Sequence, residues 1–248
     1  GQVLEICCRL TCLLNELCTG RTTAPHAEAE LLGMAAAHHV HDPEEVLGLS
    51  EHDPLSSVPI RMALARISHA PHDSPVFWGL LLPAPGQLAG LRGPARVNHA
   101  ALDAGAVIIC HQGSAAVPAG TAWIPQPVGS AMQWAIARAV APLSPPTPAD
   151  AAPLLRSAMT ATASRLSDLG MVAGERPEAI APHLTGHRPS DQRLLDSAWT
   201  VLTACDAGLA STHHLITAHS AHTREAALRQ LRNAASQAIT AATSWPLT

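Results

Sequence analysis

Five prolines within twelve residues, Pro142, Pro145, Pro146, Pro148 and Pro153, separate two stretches of different hydrophobic texture. Before them, short apolar runs and alternation with period two recur between about 76 and 140. After them, the strongly periodic segments repeat at the helical spacing. A chain patterned this way folds as α+β: N-terminal helices, a small central, mainly antiparallel sheet at about 76–140, and a C-terminal helical layer. The helices are expected to cover one face of the sheet. The reading for 1–248 is a single compact domain with a Pro-rich connection at 142–153. The alternative is an α+β domain over 1–141 followed by a helical domain over 149–248.

The local signals are uneven. Residues 3–18 read as a mostly buried helix stopped at Thr19-Gly20, and a second helix runs from Pro25 to about Ala37. Asp42-Pro43-Glu44-Glu45 has the form of a helix start with Asp42 as its cap, which predicts a short helix ending near Gly48. A further helix opens at Asp53-Pro54 and carries Ile60, Leu64 and Ile67 on one stripe. Val76–Leu82 and Ala106–Cys110 read as buried strands, and residues 97–104 as a short helix between them. Thr121–Val128 is a weaker strand, because Pro125 and Pro127 force it to an edge or a loop. Met132, Trp134, Ile136, Arg138 and Val140 alternate as in a strand. Beyond the prolines, three stripes predict helices: Leu154, Ala158, Ala161, Leu166 and Leu169; Leu194, Leu195, Ala198, Trp199, Leu202 and Cys205; Ala227, Leu228, Leu231, Ala235, Ala238 and Ile239. Their alanine-rich faces suit close helix packing.

Composition removes several function classes. All 15 basic residues are arginine, so lysine-based covalent chemistry is excluded. A net charge of −4 with scattered arginines argues against nonspecific nucleic-acid binding. No run of about 18 apolar residues exists, so no transmembrane helix is expected. The first stretch has no basic start or small-residue cleavage site and is not read as a signal peptide. The expectation is a cytoplasmic protein that binds neither nucleic acid nor membrane. Cysteines at 7, 8, 12, 18, 110 and 205 lack the C-x-x-C spacing and read as free, buried thiols.

The central stretch carries a resemblance. Leu82-Pro83-Ala84-Pro85-Gly86, then Gly90-Leu91-Arg92-Gly93-Pro94, then Ala101-Leu102-Asp103-Ala104-Gly105 resemble the LP-x-PG, GL-x-GP and AL-x-AG pattern of a family of uncharacterised actinobacterial proteins. The likeness covers residues 20–242 in outline and is specific over 76–106. Cys110-His111-Gln112 and the histidines of 211–222 depart from it. The resemblance implies an actinobacterial source and a shared fold, and it implies no activity.

Two places have residues suited to chemistry. On the loop 83–103, Gly86, Gly90 and Gly93 allow close backbone approach. Arg92 and Arg96 suit a carboxylate or phosphate, and His99 and Asp103, one helical turn apart, suit a base and its orienter. The plainer reading is that the glycines make turns and the arginines are solvated. His213, His214, His219 and His222 are imidazoles that suit zinc, nickel or copper. Without a metal they read as helix-end and loop residues. His38, His39 and His41 read as the cap region of a helix, and Cys110 as a core residue whose neighbour His111 points the other way. No catalytic residue is assigned, and no cofactor is expected unless zinc sits on the histidines. The function expected is a non-catalytic accessory or protein-interaction protein, paired with a homo-oligomer or another protein. The alternative is a small-molecule-binding protein or enzyme using the 83–103 loop, metal-dependent through histidines.

Overall fold

A computed structural model of the chain describes residues 1–49, 56–71, 74–170, 178–211 and 218–246. They form two compact units, one made mainly of Gly1–Pro145 with Leu184–Gly186, the other of Pro146–His183 and His187–Trp245. The division falls inside the proline-rich stretch. Only the first part of that stretch is a connection, because Thr147 caps a helix that begins at Pro148 and carries Pro153 inside it. Proline at the first helical position lacks an N–H that would have had no partner there.

The first unit contains, in order, α1 (Gln2–Cys18), α2 (Ala24–Leu32), β1 (His38–His41), β2 (Val58–Pro59), α3 (Ile60–His69), β3 (Phe77–Leu81), α4 (Ala95–Ala104), β4 (Val107–Gln112), β5 (Thr121–Val128) and β6 (Ala131–Arg138). The strands form one six-stranded sheet in the order β2-β1-β6-β5-β4-β3, antiparallel except where β1 runs parallel to β6. The sheet is larger than the expected 76–140 segment because it recruits 38–41 and 58–59. Histidines fill β1, so no apolar run announces it.

Strand alternation sorts the two faces. Trp78, Ile108, Trp123 and Trp134 share one face with Leu80 and Ile136, all buried against the side that α1 and α3 occupy. The indoles interlock, with ring centroids 6.5 Å apart for Trp78–Trp123 and 6.2 Å for Trp123–Trp134, both edge to face. The opposite face is built of smaller residues: Ala122, Ile124, Ala137, Val107 and Ile109, packed with Val97 and Ala101 of α4 and with Leu91. Helices therefore lie on both faces, not one. Large side chains on one side and alanines on the other are what a two-sided core of unequal depth requires.

Local signals were overruled at three points. Asp42 does cap amides, with its carboxylate accepting from Val46 N at 2.8 Å and Leu47 N at 2.9 Å, but residues 42–48 form turns and no helix. Glu45 and Gly48 take positive φ, at 52° and 66°, which breaks the helical path. α2 stops at Leu32, and residues 38–41 are a strand, not a helix end. Pro125 and Pro127 sit in β5, which lies inside the sheet. β4 pairs with it only at Trp123 and Ala122, so both prolines lie where β5 has β6 alone as neighbour. The expectation of an edge holds for that half of the strand.

The second unit holds α5 (Pro148–Asp168), α6 (Pro189–Ala210) and α7 (Ala218–Ser244), with α7 packed along both other helices. The α6 stripe from Leu194 to Cys205 is buried as expected. On α5 the buried line is Ala151, Leu155 and Thr162, and Leu154 is 57% exposed. The α5 stripe was placed about one position off, since alanine-rich sequence marks a helical face weakly. Arg224 of α7 is buried and donates to the Gly208 carbonyl at 2.6 Å, neutralising the C-terminal end of α6.

Candidate functional site

The 83–103 loop is built as a ribbon. Ala84 and Gln87 close a tight turn through reciprocal backbone bonds of 2.9 and 2.7 Å. Residues 90–93 then run beside 140–143, with Val140 N donating to Gly93 O at 2.9 Å and Leu143 N to Gly90 O at 3.1 Å. Gly93 N donates to Asn98 Oδ1 at 3.1 Å, tying the ribbon to α4. The glycines serve the backbone path: Gly86, Gly90 and Gly93 all hold positive φ, while a Cβ on Gly90 would make only an ordinary 3.7 Å contact with Leu143 Cβ.

Of the four polar residues expected on this segment, the two arginines have different partners. Arg96 forms a two-pronged ion pair with Glu44, at 2.6 and 3.0 Å. Arg92 is exposed and donates only to the Ala141 carbonyl, at 3.5 Å. His99 and Asp103 are exposed one turn apart on α4.

Of the four expected metal ligands, His213 and His214 lie outside the described residues. His219 and His222 are exposed in the first turns of α7. Among the described residues, no group of three or more histidine, cysteine or acidic side chains is gathered as for a metal ion. None of the six cysteines forms a disulfide. Burial pushes the Cys12 and Cys110 thiols up to about 12 and those of Cys18 and Cys205 to about 11, far from the thiolate a nucleophile needs. Cys110 lies on the tryptophan side of the sheet and donates to Gln112 O, while His111 packs its ring 5.3 Å from Phe77.

Several polar residues hold the unit together in ways the sequence reading did not anticipate. His38 is buried: its Nε2 donates to Leu31 O at 2.8 Å, and its Nδ1 accepts from Trp134 Nε1 at 3.2 Å. Both ring nitrogens are used, and burial lowers the pKa, which keeps the ring neutral. Asn15 of α1 accepts from Trp78 N at 2.9 Å and donates to Trp78 O at 3.0 Å, closing the polar edge of β3. Arg9 binds Glu30 and Thr185, and Thr185 also reaches Glu16, so the 184–186 segment is fastened to α1 and α2. A polar residue on an otherwise apolar helical face, as Asn15 is, was the one signal available for this.

On the other face of β1, His39 and His41 project to the α4 side, His39 exposed and His41 half-buried, while His38 and Val40 point into the core. His39 stands beside Gln133 and His41 beside Ala135 in the parallel register with β6. The spacing His39-Val40-His41 was visible in the sequence, but reading it as a helix end hid its alternation. A pocket of 270 Å³ lies elsewhere in this unit, between the start of α1, residues 34–36 and the β5–β6 turn, lined by Gln2, Val3, Ile6, Met34, Pro127 and Met132 among others.

Residues 7–152 match the model of a family described as Rv1486c-like protein, N-terminal domain. No curated protein and no solved structure matches the chain.

Proposed function

The chain belongs to the Rv1486c-like family, whose N-terminal domain takes in most of the sheet-bearing unit, and we propose that it is a non-catalytic accessory protein that binds another protein through the 88–93/140–143 ribbon. The observation behind this reading is what the ribbon displays. Leu88, Val140 and Leu143 are 41%, 46% and 60% exposed on two paired segments, around the exposed Arg92. Large apolar side chains held outward on a fastened ribbon, with an arginine among them, have the composition of an interface core. Arg92 has no carboxylate partner among the described residues, which favours a partner segment that is apolar and acidic. Arg96 is held by Glu44 and supports the ribbon's base instead. The sealed thiols favour a reducing, cytoplasmic setting, and the family resemblance favours an actinobacterial source.

The test compares wild type with Leu143→Asp and Arg92→Ala, by co-purification from lysate of the source organism and by light scattering. The proposal expects a partner, or a second copy, that Leu143→Asp abolishes and that Arg92→Ala or added salt weakens. A monomeric wild type whose recovered proteins match those of both variants overturns it.

A further inference from the structure

We propose that one stripe of α1, Arg9, Cys12 and Glu16, is a docking groove for a short Leu-Thr-Gly peptide, filled in this structure by the chain's own Leu184–Gly186, which acts as a releasable latch. The three α1 residues stand at i, i+3 and i+7 and so share one helical face. They converge on a single latch residue. Thr185 Oγ1 accepts from Arg9 Nη1 at 2.7 Å and donates to Glu16 Oε1, and the Thr185 amide lies against the Cys12 thiol. A cation on one side and an anion on the other use both the acceptor and the donor of one hydroxyl. That arrangement selects a hydroxyl residue, since valine, of the same shape, would satisfy neither charged group.

The other two latch residues have their own reasons to be what they are. Leu184 is 3% exposed, a single apolar anchor in a segment whose His183, Gly186 and Arg188 are exposed. Gly186 holds φ of 69°, which favours glycine, and a Cβ there would meet Arg21 Nη1 at 3.5 Å. The receiving side is built without the latch. Glu30 of α2 holds Arg9 through Nε at 2.6 Å and through Nη2, which leaves Nη1 to reach Thr185. Arg9, Cys12, Glu16, Arg21 and Glu30 all fall inside the family match at 7–152, and the latch lies beyond it. Leu184–Gly186 packs as part of the sheet-bearing unit, whereas the residues before and after it in the chain do not. One apolar anchor and two charge-assisted bonds are the scale of short-peptide docking. Tethering raises the effective concentration of such a segment to the order of millimolar, so a weak contact keeps the groove filled. The same small size lets it open locally while the sheet stays folded. The site shares no residue with the ribbon 88–93/140–143.

The experiment uses full-length protein and a fluorescent peptide of residues 181–190, read by anisotropy. Wild type is compared with the double variant Leu184→Asp, Thr185→Val, which empties the groove, and a thermal melt checks that the variant folds. The emptied variant is expected to bind the peptide at least about tenfold more tightly than wild type, because the tethered copy no longer competes. Thr185→Val or Gly186→Ala made in the peptide, which leaves the protein untouched, is expected to weaken that binding about tenfold or more. Hydrogen exchange of wild type gives a reading that does not depend on the variant. The amides of 184–186 are expected to exchange at least about tenfold faster than those of Val107–Gln112, through local opening. Three outcomes overturn the proposal: a folded variant that takes up no more peptide than wild type, binding that the peptide substitutions leave unchanged, or latch amides as protected as those of the strand.

Discussion

At the residue scale, the most informative side chains are those whose polarity looks misplaced in the sequence. Asn15 lies on the buried side of α1, yet its amide satisfies both backbone groups of Trp78 on the edge strand β3. Asn15→Leu keeps the volume and leaves a buried N–H and a buried C=O without partners. Unfolding by urea is expected to show a loss of about 2–4 kcal/mol, and a loss below about 1 kcal/mol would mean that water replaces the amide. His111 is the reverse case, because both its ring nitrogens are buried and have no partner. Burial pulls its pKa down from 6.5 to about 4. Below pH 6.5 the unfolded chain therefore takes up the proton first. The stability present at pH 7 drains away as pH falls from about 6.5 towards 4, by up to about 3 kcal/mol. His111→Phe removes that dependence and is expected to be at least as stable as wild type at pH 7. Parallel denaturation series at pH 7 and 4.5 compare the two, and equal slopes against pH would refute the assignment.

At the scale of elements, connections decide as much as strands do. Gly120 enters β5 with φ of 87°, donates to Cys110 O at 2.8 Å and accepts from Ala139 N at 2.9 Å. A Cβ there would run into the Ala139 carbonyl oxygen. Gly120→Ala thus forces strain and parts β4, β5 and the end of β6 together. A loss of about 3 kcal/mol or more is expected in a thermal or urea melt. The same substitution at Gly86, where a Cβ meets nothing within 4 Å, is expected to cost only the left-handed strain, about 1 kcal/mol. The pair of variants separates conformational strain from collision. The helices were legible wherever large apolar residues marked one face, as on α3 and α6. α5 was misplaced because alanine sits almost as well at a boundary as in a core. β1 was illegible because its inward residue at 38 is a histidine, and only Trp134, ninety-six positions later, makes that histidine a core residue.

For the whole molecule, charge is the property that the sequence carries without help from the fold. Protonation of histidines raises the formal charge from −4 as pH falls, with His38 and His111 held back by burial, and the isoelectric point is about 6.4. A solubility minimum between pH 6 and 7 is expected, read as turbidity of concentrated protein from pH 5 to 8, and a flat profile would contradict it. No described helix is long and apolar enough to cross a membrane, which agrees with the hydropathy of the chain. The sequence by itself determined the α+β class and most helices, because these follow from short-range periodicity and from what proline cannot do. Tertiary structure alone decided the rest. It drew 38–41 and 58–59 into the sheet, turned the Asp42 cap into a loop anchor, and gave Arg92 and Arg96 different partners. The strand at 38–41 and the arginines depend on partners far away in the chain, Trp134, Glu44 and Ala141, and no local pattern encodes which distant group a polar side chain will meet.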